Sequence, residues 1–134
     1  MSRSGYSEDC DDSSTNLWRG AVERSIRGKR GQAFLREALA ALDAMPEKRL
    51  AADSLHETAT GEYCTLGVVG AARGMDMGPL EFIEASGVAK AFGIARALAA
   101  EIMWMNDDDY DYQSPVHRWA SMRSWVNSQI KEPS

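Results

Sequence analysis

Asp107, Asp108, Asp109, Tyr110, Asp111 and Tyr112 form the densest concentration of one chemistry in the chain: four carboxylates interleaved with two phenols. The alternation of Asp107, Asp109 and Asp111 follows the spacing with which a calcium-binding loop begins. The remainder of that pattern fails, because Tyr112 stands where the loop needs a glycine for its sharp turn and Arg118 where it needs a bidentate glutamate. No metal is expected here. The chemistry that remains is electrostatic, a negative patch with aromatic neighbours that fits a basic groove and competes with nucleic acid for an Arg/Lys-lined surface. A solvated loop is the plain alternative.

A thiol and two imidazoles, Cys64, His56 and His117, are the components of a nucleophilic pair. Cys64 opens an apolar run, Cys64 to Ala72, where cysteine behaves as a small buried hydrophobe. The sequence therefore favours structure over catalysis, and no enzyme activity and no cofactor are expected. Two cysteines and two histidines also lack zinc spacing.

The segment from Val88 to Ile102 has the outline of a helix-turn-helix: a short helix, Gly93 at the turn, Ile94, then a second helix with apolar spacing. A recognition helix needs several side chains that reach phosphates and bases. This one offers Arg96 among alanines, with aspartates beyond its end, so a core αα-corner is the better reading. Arg19, Arg24, Arg27, Lys29 and Arg30 form a basic segment that could meet phosphate or a partner's carboxylates. A solvated helix face with a turn is favoured there. Trp18, Trp104, Trp119 and Trp125 are expected mainly in the core, where an exposed one would make an interface anchor.

The elements that must position these residues are helices. Residues 1–16 are polar and read as an acidic arm, with Asn16 as an N-cap for a helix from Leu17 to about Arg27. Gly28-Lys29-Arg30-Gly31 reads as a turn. Phe34, Leu35, Ala38, Leu39, Leu42 and Met45 recur at steps of three and four, which predicts a helix from Gln32 to Met45, closed by Pro46. Leu50 to Glu57 and the residues around Tyr63 suggest one small hairpin turning at Thr60-Gly61. Cys64 to Arg73 predicts a short buried helix in which Gly67 and Gly70 admit a close neighbour, with Gly74 beyond its end. Pro79 opens a helical turn through Ile83. Val88 to Phe92 and Ile94 to Met105 follow as helices, the second with Ile94, Leu98, Ile102 and Met105 inward, and Asn106 to Gln113 as a loop. Ser114-Pro115 is a strong helix start. The last helix runs to about Ile130 with Val116, Trp119, Met122, Val126 and Ile130 on one side.

Taken together these elements predict a mainly α, compact single-domain helical bundle of five or six helices with at most one small β-hairpin. It is divided into the arm 1–16, the helical domain 17–131 and the polar tail 132–134. The 134 residues, 26% charged and 44% hydrophobic, suit one globular domain that needs no disulfide or structural metal. The net charge of −5 excludes a basic nucleic-acid coat protein. The amino terminus lacks the basic and apolar regions of a secretory signal, no stretch is long enough to span a bilayer, and Cys10 and Cys64 are not placed to bridge. A reducing cytoplasm is the expected setting.

Ser2 to Ser7, Ile26 to Glu37, Lys48 to Leu50, Cys64 to Val69, Met105 to Asp107 and Arg118 to Val126 together resemble a family of small proteins encoded by bacteriophages and prophages. The likeness covers nearly the whole chain, and none of its motifs is a catalytic signature. It implies a genomic setting and not an activity. The aspartate-rich loop is more acidic than the family's usual form, so a family-wide role for it is left unsupported. Small acidic phage proteins often act by blocking host machinery. That setting, by association and together with the clustered aspartates, leads to the expectation of a phage-derived inhibitor of host defence in the bacterial cytoplasm, an anti-CRISPR that binds the CRISPR–Cas effector complex and blocks nucleic-acid binding by steric and electrostatic occlusion. Its contact residues would be Asp107, Asp108, Asp109, Tyr110, Asp111 and Tyr112. On that reading the partner is a host protein complex, neither nucleic acid nor membrane is contacted directly, and a homodimer is allowed. The rival reading is a DNA-binding phage regulator that uses residues 88–102.

Overall fold

The computed structural model of the chain describes residues 12–81, 84–107 and 114–131. The described residues form six α-helices: α1 (Asp12–Arg27), α2 (Lys29–Ala44), α3 (Thr65–Ala72), α4 (Ala85–Phe92), α5 (Arg96–Asp107) and α6 (Pro115–Gln129). A two-stranded antiparallel hairpin, β1 (His56–Glu57) and β2 (Glu62–Tyr63), lies between α2 and α3, with His56 opposite Tyr63. A single 3₁₀ turn spans Gly78–Leu80. The fold is the mainly helical bundle with one small hairpin that the residue pattern predicts. No helix among the described residues is long and apolar enough to cross a membrane.

Local chemistry accounts for most element ends. Ser114 caps α6 by accepting from His117 N at 3.1 Å, and Pro115 fills the first helical position, where a missing N–H costs nothing. Met45 is extended (φ −63°, ψ 130°), as the residue before Pro46 must be, and α2 stops there. Gly93 takes the left-handed conformation, φ 74°, and closes α4.

Several boundaries differ from those read off the sequence. α1 includes Asp12, so Asn16 lies inside the helix and not at its cap; the rest of the expected arm, residues 1–11, and the expected tail 132–134 lie outside the described residues. α2 begins at Lys29, and the expected four-residue turn shrinks to Gly28. The reason is Gly31: a β-carbon there would stand 1.8 Å from the Ser25 carbonyl oxygen, so only glycine lets the first turn of α2 rest on the last turn of α1. α4 starts three residues before Val88, and Asn106 and Asp107 belong to α5, not to a loop. Val116, expected inward, is 53% exposed.

α5 is the central helix. It packs against α1, α3, α4 and α6, and Ala97 to Met103 are all buried. Three alanines in that run let neighbours approach from several sides. Leu35, Leu42, Leu50, Leu66, Leu98, Ile102, Met103 and Met122 fill the core around it. Each such side chain contributes about 1.5–3 kcal/mol of transfer free energy. α2 and α6 run antiparallel along one side. Their ends are tied by Gln32 Nε2 to Gln129 O (3.0 Å) and by Arg123 to Asp43 (2.6 Å).

Candidate functional site

The acidic end of the molecule is assembled where α5 stops. Asn106 is buried, and its carboxamide is fully used. Its Oδ1 accepts from Thr65 N (3.1 Å) and Thr65 Oγ1 (2.9 Å), while Nδ2 donates to Ala51 O (2.9 Å) and Asp107 Oδ1 (2.8 Å). One side chain thus joins the end of α5, the start of α3 and the 51–53 loop. Asp107 Oδ1 also accepts from Asp53 N at 3.0 Å, and Asp53 has φ 64°, rare for a residue with a β-carbon. The start of α6 reaches the same place, since Leu50 N donates to Pro115 O (3.0 Å) and Arg118 Nη1 to Leu50 O (3.0 Å).

Asp107 therefore sits at the negative end of the α5 dipole, where a carboxylate is disfavoured by about 0.3–1 kcal/mol. The Asn106 amide and the Asp53 N–H hold it there. The helix carbonyls add to its field, and Asp53 is exposed beside it. Of the six residues expected to meet a partner, Asp107 is the one the structure describes. Asp108, Asp109, Tyr110, Asp111 and Tyr112 lie outside the described residues, and they follow directly from this anchored root.

A second concavity, about 510 Å³, lies beside the hairpin and is lined in part by His56, Tyr63, Met75, Asp76, Met77 and Glu81. The His56 and Tyr63 rings stack with centroids 4.2 Å apart and planes 10° from parallel. Both carboxylates accept from backbone: Glu81 Oε1 from His56 N on the hairpin, 25 residues away (2.8 Å), and Asp76 Oδ1 from Gly78 N within its own turn (3.1 Å). Among the described residues no group of three or more His, Cys, Asp or Glu side chains could hold a metal ion.

The thiol is buried, and the two imidazoles lie on different elements. Cys64 is 1% exposed, and its sulfur caps α3 by accepting from Gly67 N at 3.4 Å. His56 faces the groove, while His117 lies on the exposed first turn of α6. The 88–102 segment is built into the core: Val88, Ala89, Phe92, Ile94 and Leu98 are buried, and Arg96 stands over the Trp18 ring at 5.4 Å. All four tryptophans are half-buried, so none is the exposed anchor that the sequence allowed for. Trp119 donates to Leu42 O at 3.1 Å, and Leu17 and Val116 are the exposed large apolar residues.

Arg19 does not join the basic segment as a free cation. It grips buried Glu101 on α5 with two guanidinium nitrogens, at 2.5 and 3.1 Å. Two further pairs brace α2: the Arg73 guanidinium holds the Glu37 carboxyl below its usual range, and Arg123 does the same to Asp43. Sequence reasoning missed Asn106 and Asp53, because the partners that define them are distant in the chain. Comparison with protein-family models, with curated proteins and with solved structures finds no match.

Proposed function

We propose that this protein acts by binding, as a phage-derived inhibitor of host defence that offers its acidic end to a basic nucleic-acid-binding surface of a CRISPR–Cas effector complex. The observation that supports the reading is the anchored carboxylate of Asp107, held beside Asp53 at the negative end of α5 and leading into Asp108, Asp109 and Asp111. Fixed charges pay less ordering entropy on docking than charges on a free tail. They speed encounter with a basic groove, while Tyr110 and Tyr112 supply the apolar contact that charge alone lacks. Occlusion of the groove needs no reaction. A buried, capped Cys64 is consistent with that.

The DNA-binding reading of residues 88–102 draws less support. A helix buried from Ala97 to Met103 has no open face to lay in a major groove. The test of the leading reading is a pull-down of purified, guide-loaded effector complex with the wild-type chain and with an Asp108→Lys/Asp109→Lys variant. Capture by the wild type and a loss of about tenfold or more in the variant supports charge-based occlusion, in line with the energies of desolvated charge pairs. Undiminished capture by the reversed protein removes it.

A further inference from the structure

We propose that the corner where α1 turns into α2 and α6 ends is a contact surface for the phosphate backbone of duplex DNA. The surface is distinct from the acidic end. Gly28 is the single residue between the two helices, and the close approach at Gly31 brings the last turn of α1 onto the first turn of α2. Arg27, Lys29 and Arg30 are thereby gathered on one exposed corner, while the Arg24 guanidinium folds back along α1 toward Gly20.

The end of α6 adds cations that no local reading of the sequence could place there. Buried Gln32 acts as the bolt: Nε2 donates to Ile26 O (2.7 Å) and Gln129 O (3.0 Å), and Oε1 accepts from Lys131 N (2.8 Å). Lys131 Nζ donates to Arg27 O (3.2 Å), and Arg36 Nη2 to Lys131 O (3.1 Å). Arg27, Lys29, Arg30, Arg36 and Lys131 thus lie on segments that meet at this corner. Among the described residues from Glu23 to Arg36 and at the end of α6, Glu23 is the one carboxylate and it pairs with Arg27 at 3.0 Å; Glu37, next to Arg36, pairs with Arg73.

Folding explains only part of this arrangement, in which Lys131 and Arg36 each hold a backbone carbonyl. Arg24 and Arg27 do complement the negative end of α1, but Lys29 and Arg30 lie at the positive end of α2, whose first turn carries no acidic residue. Cations there oppose the helix dipole. The occupant that compensates them is anionic, and the chemistry of the corner narrows it. Among the described residues no exposed aromatic side chain stands at the corner for single-stranded bases to stack on, since Trp125 near the end of α6 is half-buried. The exposed large apolar residues among them, Leu17 and Val116, are elsewhere on α1 and at the far end of α6, which argues against insertion into a bilayer. Arginine-rich charge without an apolar anchor suits outward-facing phosphates at regular spacing. The net charge of −5 does not forbid it. The acidic end lies at the other end of α2, about 24 Å away at 1.5 Å per residue. That exceeds the screening length of about 8–10 Å at physiological salt.

The test is fluorescence anisotropy of a labelled duplex of about 20 base pairs with the full chain, from about 25 to 200 mM NaCl. Three to four phosphate contacts predict a log–log salt slope of about −3. Lys29→Glu/Arg30→Glu should weaken binding at least tenfold. This variant keeps its fold, because acidic residues suit the first turn of a helix. Lys90→Glu, at an exposed position of α4, carries one such charge reversal away from the corner and should leave binding within about twofold. Asp108→Lys/Asp109→Lys should bind DNA at least as well as the wild type, which separates this proposal from the effector reading. Absence of binding at low salt, an equal loss in Lys90→Glu, or preference for a single strand or for phosphatidylserine vesicles over the duplex would overturn it.

Discussion

Removing the Asn106 carboxamide should be among the most damaging polar substitutions in the chain. Asn106→Ala breaks four hydrogen bonds of 2.8–3.1 Å. Thr65 Oγ1 can turn to another acceptor and half-buried Asp107 can be rehydrated, but Thr65 N–H and Ala51 C=O stay in the interior without their partner. Each stranded group costs about 1–3 kcal/mol, so a loss of about 3–4 kcal/mol is expected. That is a large part of the roughly 5–15 kcal/mol that holds a domain together. Asn106→Asp separates geometry from charge. The replacement still accepts from Thr65, but it turns a carboxylate oxygen toward Ala51 O and the Asp107 carboxylate. Folding therefore raises the pKa of the introduced carboxyl above its unfolded value of about 3.9. The penalty is full at neutral pH and shrinks as pH falls through that raised value, where the protonated oxygen donates again. Urea unfolding followed by tryptophan fluorescence at pH 7 and near pH 5 reads both effects, with the m-value unchanged. A loss below about 1 kcal/mol in Asn106→Ala, or a pH-independent gap between Asn106→Asp and the wild type, would refute the reasoning.

Gly31→Ala should cost about 1–3 kcal/mol in the same assay despite the better helix propensity of alanine, because the new methyl meets backbone at 1.8 Å; Gly28→Ala, whose β-carbon finds its nearest neighbour at 3.4 Å, should cost under about 1 kcal/mol. Arg19→Ala leaves Glu101, 4% exposed, without its guanidinium clamp, and a loss of about 2–3 kcal/mol is expected, recovered in large part by adding Glu101→Leu. Glu37→Gln should cost at most about 1 kcal/mol at pH 7, since the Arg73 pair is largely exposed. Pairing lowers the folded-state pKa of Glu37, so the contribution is present above the unfolded carboxylate range and lost as pH falls through the folded value. The stability curves of Glu37→Gln and wild type should therefore converge in acid, and a gap that widens there would contradict the assignment.

What the sequence made legible was local chemistry. Ser114-Pro115 announces α6, Pro46 ends α2 and Gly93 closes α4 because each acts within one turn of its own backbone. The apolar steps from Phe34 to Leu42 place α2 for the same reason. Illegible features were set by contacts between distant segments. Gly31 looks like a turn residue until Ser25 is known to lie against it. Asn106 looks like the first residue of a polar loop until Thr65 and Ala51 are seen around its amide. The basic corner was half visible: Arg27, Lys29 and Arg30 are neighbours in sequence, but Arg36 and Lys131 join through the Gln32 bolt. Of the acidic site, the composition was plain and the anchoring was not, since the Asp53 N–H that meets Asp107 is 54 residues away.

The central claim is that the acidic end competes with nucleic acid for a partner's basic groove. Its most direct measurement is displacement of a labelled target duplex from purified guide-loaded effectors, one multi-subunit and one single-chain, titrated with the wild-type chain and with Asp108→Lys/Asp109→Lys at a salt concentration at which neither chain alone binds the duplex. Our account predicts stoichiometric displacement by the wild type from at least one effector, with a midpoint shifted about tenfold or more by the charge reversal. Retention of the duplex by both effectors at saturating wild-type protein, or equal displacement by the two chains, would contradict it.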